Sequence, residues 1–130
     1  MKNKQYYIIG DPVPKARPRH NTKTGITYTP KKTQIAESYV KDSYISQGGK
    51  IIDGPVEVKI EFYLRKPKKP TAAEPLKRPD IDNLTKTILD GLNGVAYEDD
   101  KQIIKVITEK HWADDEPMTV FSVYEYKNNI

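Results

Sequence analysis

Cysteine is absent from all 130 residues, which excludes a disulfide framework and any thiolate-held metal. Long apolar runs are missing too. No uninterrupted stretch approaches the length of a membrane span, and Met1–Gln5 leads into a short strand-like segment instead of a signal peptide. These absences predict a soluble, cytoplasmic protein without a membrane partner. No internal repeat or domain boundary interrupts the chain, and 14.9 kDa suits one domain over residues 1–130 with a core of its own.

Charge is plentiful and unevenly placed. The net charge is +4, yet residues 1–35 carry eight bases against one acid and residues 65–78 carry six against one. Between positions 80 and 100 the balance inverts, with six acids (Asp80, Asp82, Asp90, Glu98, Asp99, Asp100) against the single base Lys86. A polyanion is drawn to the two basic segments and repelled by the acidic one, unless a bound cation neutralises it.

Gln5–Ile9 reads as a short strand closed by Gly10-Asp11-Pro12. Residues 13–30 read as a loop with a small hairpin around Thr24-Gly25, and Lys15, Arg17 and Arg19 within it are candidate phosphate contacts. Thr29 as N-cap and Pro30 at the first helical position open a helix in which Ile35, Ala36, Tyr39 and Val40 recur at packing distance, and Gly48-Gly49 stops it. Val56–Leu64 alternates apolar and polar residues throughout, the pattern of a strand with one buried face. The Pro- and Lys-rich stretch 65–79 can be neither helix nor central strand, and its Lys66, Lys68, Lys69 and Arg78 are further DNA-contact candidates. Lys101–Trp112 and Met118–Tyr126 read as two more strands, and the short turn between them predicts an antiparallel pair. The expected architecture is α/β with α+β character: one small domain, about four strands in a mixed or antiparallel sheet, and two main helices.

The acidic stretch carries the chemistry. From Ile81 onward, Ile81, Leu84, Ile88 and Leu92 fall on one helical stripe, with Leu89 at its margin. Asp82, Lys86 and Asp90, spaced i, i+4, i+8, line a polar side, while Asp80 fits the N-cap. Glu98-Asp99-Asp100 follows the Asn93-Gly94 turn and can fold back toward that corner. Clustered carboxylates stay ionised near neutrality only with cationic help. Oxygen-only donors favour Mg²⁺ or Mn²⁺ over zinc, and the glycine and further ligands of a calcium-binding EF-hand are absent. Such an ion beside a phosphodiester suits hydrolysis, with Lys86 placed to stabilise the charge-rich transition state. Taken residue by residue, capping, helix-dipole and surface-pair roles are the favoured account of the same acids.

The pattern Pro79-Asp80-Ile81-Asp82-Asn83-Leu84-x-Lys86-x-x-x-Asp90-x-Leu92, closed by Asp99-Asp100-x-Gln102, resembles the RusA family of Holliday junction resolvases. The resemblance implies a RusA-like fold and a Mg²⁺-dependent endonuclease, with Mn²⁺ as substitute and no small-molecule cofactor. It implies a homodimer that nicks two like-polarity strands of a four-way junction symmetrically, in recombination and repair. By motif position, Asp80, Asp82 and Asp100 become metal-binding catalytic carboxylates, Lys86 the catalytic lysine, and Asp90 and Asp99 supporting residues. A nuclease for flaps or other branched DNA, or a noncatalytic branched-DNA-binding factor, are the competing readings.

Overall fold

The alternation in Val56–Leu64 is realised as the central strand of the protein. A computed structural model describes residues 3–70 and 72–127; Met1 and Lys2, the start of the basic N-terminal segment, lie outside them. In chain order the elements are β1 (Tyr6–Ile9), β2 (Arg19–His20), β3 (Thr27–Tyr28), α1 (Lys31–Ser46), β4 (Val56–Leu64), α2 (Ile81–Gly91), β5 (Ile103–Trp112) and β6 (Met118–Glu125), with a single 3₁₀ turn at Asp100–Gln102 before β5. The four long strands form one mixed sheet in the order β1-β6-β4-β5, and β2 and β3 form the small hairpin expected around Gly25. This is the α+β architecture anticipated, with two helices against a four-stranded sheet.

Every second residue of β4 (Val56, Val58, Ile60, Phe62, Leu64) is buried, and the residues between them stand on the outer face. The core side meets Leu84, Ile88 and Leu92 of the predicted α2 stripe, together with Val40 and Tyr44 of α1 and Phe121 of β6. Tyr6 stacks on Phe121 with ring centroids 5.3 Å apart, sealing the β1 end of the core. The two helices cross closely at Gly91, where an added β-carbon would stand 2.6 Å from Val40 Cβ.

Three expectations are corrected. α1 begins at Lys31 with Pro30 as the N-cap, one residue later than Thr29 implied, and Thr29 instead gives its carbonyl to Gln34 Nε2 at 2.7 Å. The buried stripe of α1 is Thr33, Ala36, Val40 and Tyr44, so Ile35 and Tyr39, one position back from it, face solvent. Most consequentially, β5 and β6 do not pair. The link Ala113–Pro117 crosses the end of β4, held by Ala113 N donating to Leu64 O at 2.7 Å, so β4 lies between them. β5 then runs parallel to β4 through the α2 crossover, while β6 runs antiparallel to it. β4, buried along its whole core face, thereby gains a hydrogen-bonded neighbour on each side.

Candidate active site

α2 lies between β4 and β5 in a strand–helix–strand crossover and must run back along the sheet against both. Its N-terminus therefore stands at the finishing end of β5, and its C-terminus at the starting end. The first end is fixed by Lys110, whose Nζ donates to the carbonyls of Lys77 and Pro79 at 2.9 and 3.0 Å. Trp112 Nε1 donates to Ala72 O at 3.1 Å, tying the same loop to the end of β5. In the middle, Thr85 and Thr108 meet hydroxyl to hydroxyl at 2.9 Å.

At the N-terminus Asp80 is the N-cap, following a cis Arg78–Pro79 bond, and its side chain makes no capping hydrogen bond. The helix begins through the Asp80 carbonyl alone, which accepts from Leu84 N at 3.1 Å, so the carboxylate is left to other work. Asp82 uses one oxygen for Asn83 N at 2.9 Å and is otherwise exposed. Lys86 is exposed one turn later and joins none of the ion pairs found among the described residues. Asp80 opens onto a cleft of about 610 Å³ whose walls include Arg17, Arg78 and Asn83. Two arginines from segments 61 positions apart thus stand beside the motif's first aspartate.

The distal acids occupy the other end. Gln102 organises them: its Oε1 accepts from Glu98 N at 2.8 Å and Asp99 N at 3.2 Å, while its Nε2 donates to Ile52 O and Gly54 O at 3.0 and 2.9 Å. Asp99 closes the reciprocal cap by accepting from Lys101 N at 2.9 Å. The Asp-Asp-x-Gln motif is therefore a capping box that holds Asp100 out into solvent. The Lys101 N–H draws the Asp99 carboxyl below its ordinary range, and the hydrogen-bonded contact with Asp99 raises that of Asp100. Two adjoining carboxylates of this kind attract a cation. Beneath them Tyr97 is buried, its hydroxyl donating to Leu89 O at 2.5 Å; burial raises its pKa, reinforced by Asp100 and Asp90.

The structure thus sets Asp80 with Arg17 and Arg78 at the start of α2, where Asp82 stands in the first turn, and brings Asp90 and Asp100 near Tyr97, with Asp99 beside Asp100, at the opposite end of the helix. Eleven helical residues at ~1.5 Å each put those ends about 16 Å apart. Within one chain, Asp80, Asp82 and Asp100 do not meet as the sequence led us to expect. Lys15, which also lines the cleft at Asp80, pairs with Asp90. Lys15 Nζ lies 2.5 Å from Glu37 Oε2 and 3.1 Å from Asp90 Oδ2 with only 16% of its side chain exposed, and its backbone N–H donates to Asn83 O at 2.8 Å. It is a clamp between the loop and both helices, with Asp90 as one of its two carboxylate partners. Arg19, Lys66, Lys68 and Lys69 are exposed.

Comparison with known proteins decides the family. The profile described as Endodeoxyribonuclease RusA matches residues 10–124, nearly the whole chain, including both ends of α2. The chain belongs to the RusA endodeoxyribonuclease family. It is also 28% identical over 128 residues to a Bacillus subtilis (strain 168) protein, "Uncharacterized protein YqaN", covering 85% of this chain and 89% of that one. As a RusA-family member, the chain is a nuclease by lineage, and no helix among its described residues is long and apolar enough to cross a membrane.

Sequence reasoning missed two features of this RusA-family site. The Arg17–Arg78 cleft needed the loop 13–18 to be docked against α2, a contact made through Lys15 and Asn83 that leaves no trace in local pattern. The separation of the acids was foreseeable in part, since an 11-residue helix already spans more than a metal's coordination shell.

Proposed function

We propose that this chain resolves Holliday junctions as a homodimer, a divalent-metal-dependent endodeoxyribonuclease that places paired symmetric nicks. The observation that carries the reading is the division of the motif acids between the two ends of α2, alongside a sheet edge that pairs with no other strand among the described residues. β5 is the outer strand of the sheet, and Ile104 and Val106 on it are 57% and 36% exposed. Joining two such edges antiparallel about a two-fold axis brings the start of one β5 to the finish of the other. Asp100 of one chain then approaches Asp80 and Asp82 of its mate, twice over. A junction offers two equivalent strands, and a C2 dimer offers two equivalent sites.

The donors suit a hard ion. Asp80, Asp82 and Asp100 supply only carboxylate oxygen, all three are exposed, and Asp80 is not consumed by capping. These three residues would hold Mg²⁺, or Mn²⁺ in its place, and when bound the ion supplies charge neutralisation at the phosphate and a more acidic water. The chain's own groups do the rest. Arg17 and Arg78 line the cleft at Asp80 and can take phosphate oxygens in bidentate fashion. Lys86 presents a fixed positive charge one turn from Asp82, where charge grows on the phosphoryl oxygens. The exposed Lys66, Lys68 and Lys69 extend the cationic track for a departing arm.

The deciding experiment incubates a synthetic four-way junction with the wild-type chain and with Asp82→Asn, with and without Mg²⁺. Symmetric nicks are expected from wild type in Mg²⁺ alone, and junction binding without nicks from the variant. Equal cutting of flaps and junctions would move the substrate to branched DNA generally. Binding without cutting by wild type, in either Mg²⁺ or Mn²⁺, would leave a noncatalytic binding factor.

A further inference from the structure

The outer face of the sheet, away from both helices and from the acids of α2, carries another set of metal-type donors. Parallel pairing of β4 with β5 puts Glu61 directly opposite Glu109, and Tyr63 opposite His111. One ligand atom each from Glu61, Glu109 and His111 lies within 4.8 Å of the other two, the single such group among the described residues. Facing carboxylates on neighbouring strands repel, and nothing in the fold of the sheet requires them there.

The surroundings are those of a metal-binding histidine. His111 Nε2 points into the group, 3.0 Å from Glu109 Oε1, while Nδ1 points the other way, 3.5 Å from Glu74 Oε2. Without an ion Nε2–H donates to Glu109; a metal would take that proton's place, with Glu74 standing beside Nδ1 to orient the ring. Glu61 is oriented in the same manner: Tyr63 donates its hydroxyl to Glu61 Oε2 at 2.7 Å, leaving the other oxygen unengaged. The Tyr63 ring stacks on the imidazole at 5.6 Å between centroids, which limits its rotation. Three carboxylates surround a group that can carry at most one positive charge, and a divalent ion supplies the difference.

We infer that Glu61, Glu109 and His111 form a second divalent-metal site, distinct from the nuclease centre, that takes a borderline ion such as Zn²⁺. One imidazole among two carboxylates favours such ions over Mg²⁺, and three protein ligands leave a position for water. The ion fixes His111 and, through Glu74, the loop that leads to Asp80; this is a bracing role, and it does not depend on the proposed junction chemistry.

The test uses the full-length protein, Co²⁺ and Zn²⁺ as probes, and excess Mg²⁺ throughout to occupy all-oxygen sites. Equilibrium dialysis is expected to show one retained Zn²⁺ per chain, and Co²⁺ to give visible ligand-field bands. Both signals should be lost in His111→Ala and weakened at least tenfold in Glu109→Gln, with circular dichroism confirming that each variant is folded. Junction cleavage in Mg²⁺ alone is expected to survive in both variants, so failure here is separable from failure of the nuclease reading. No retained ion in wild type, or equal retention in wild type and the two variants, would overturn the inference.

Discussion

Replacing Lys15 with methionine separates a structural lysine from a DNA-binding one. Methionine keeps the aliphatic stem but leaves Glu37 and Asp90, whose side chains are 23% and 29% exposed, facing each other without their shared cation. Exposed pairs contribute ~0.2–1 kcal/mol, and breaking a fully buried pair costs ~3–5 kcal/mol. At this partial burial a loss of about 1–3 kcal/mol follows. For a domain of this size that corresponds to a fall in Tm of roughly 4–12 °C. Burial opposes the ammonium form, but the hydrogen bonds to Glu37 and then to Asp90 outweigh it, so the Lys15 pKa is raised above its ordinary 10.5. A raised lysine pKa means that the stabilisation is complete below the unfolded-state value and disappears as pH climbs through the folded-state value. The gap between wild type and Lys15→Met should therefore persist across neutral pH and narrow only in strong alkali. Urea melts of Lys15→Met, Asp90→Asn and the double variant measure the coupling, and the double variant should cost about 1 kcal/mol less than the sum of the singles. An unchanged Tm in Lys15→Met, combined with weaker junction binding and a salt slope flatter by about one, would refute the clamp and make Lys15 a phosphate contact.

Mixing two inactive chains tests where the catalytic carboxylates come from. Asp82→Asn and Asp100→Asn, each dead alone, should regain single-strand nicking of a junction when combined, because one of the two composite sites in a heterodimer is then intact; no recovery would return all the acids to one chain. Charge placed on the free edge, as in Val106→Asp, should shift sedimentation toward monomer and abolish cutting together, whereas a dimer that survives would exclude the β5 edge. Arg17→Ala with Arg78→Ala should weaken junction binding and reduce its salt slope by about two, read from affinities over a salt series. Gly91→Ala should destabilise the fold by about 1–3 kcal/mol in a thermal melt, since its methyl meets Val40.

Local pattern determined a good deal. The alternation of β4 named its buried residues, and the apolar stripe of α2 named Leu84, Ile88 and Leu92 while Ile81 at its start is only half-buried, because each depends only on the period of its own backbone. What failed was non-local. A five-residue link between β5 and β6 looks like a hairpin, yet it spans the width of β4, and nothing within those residues announces the strand inserted between them. Lys15 reads as a surface base because its partners Glu37 and Asp90 lie 22 and 75 positions away. The Glu61–Glu109–His111 group escaped for the same reason: alternation puts each on an outer face, but only the parallel register puts them side by side. The acids of positions 80–100 misled in the opposite direction, being near in sequence and held apart by the rigid rod between them.

That rod has a biological corollary. Under the proposed dimeric site, a polypeptide whose scissors are split across its own length is harmless while solitary, and newly made or highly dilute copies would leave a genome intact. On that reading blade and anvil come together only when two copies dock, and a four-armed substrate with matching symmetry is a natural place for that meeting. Control over abundance then becomes control over cutting, with no separate inhibitor required.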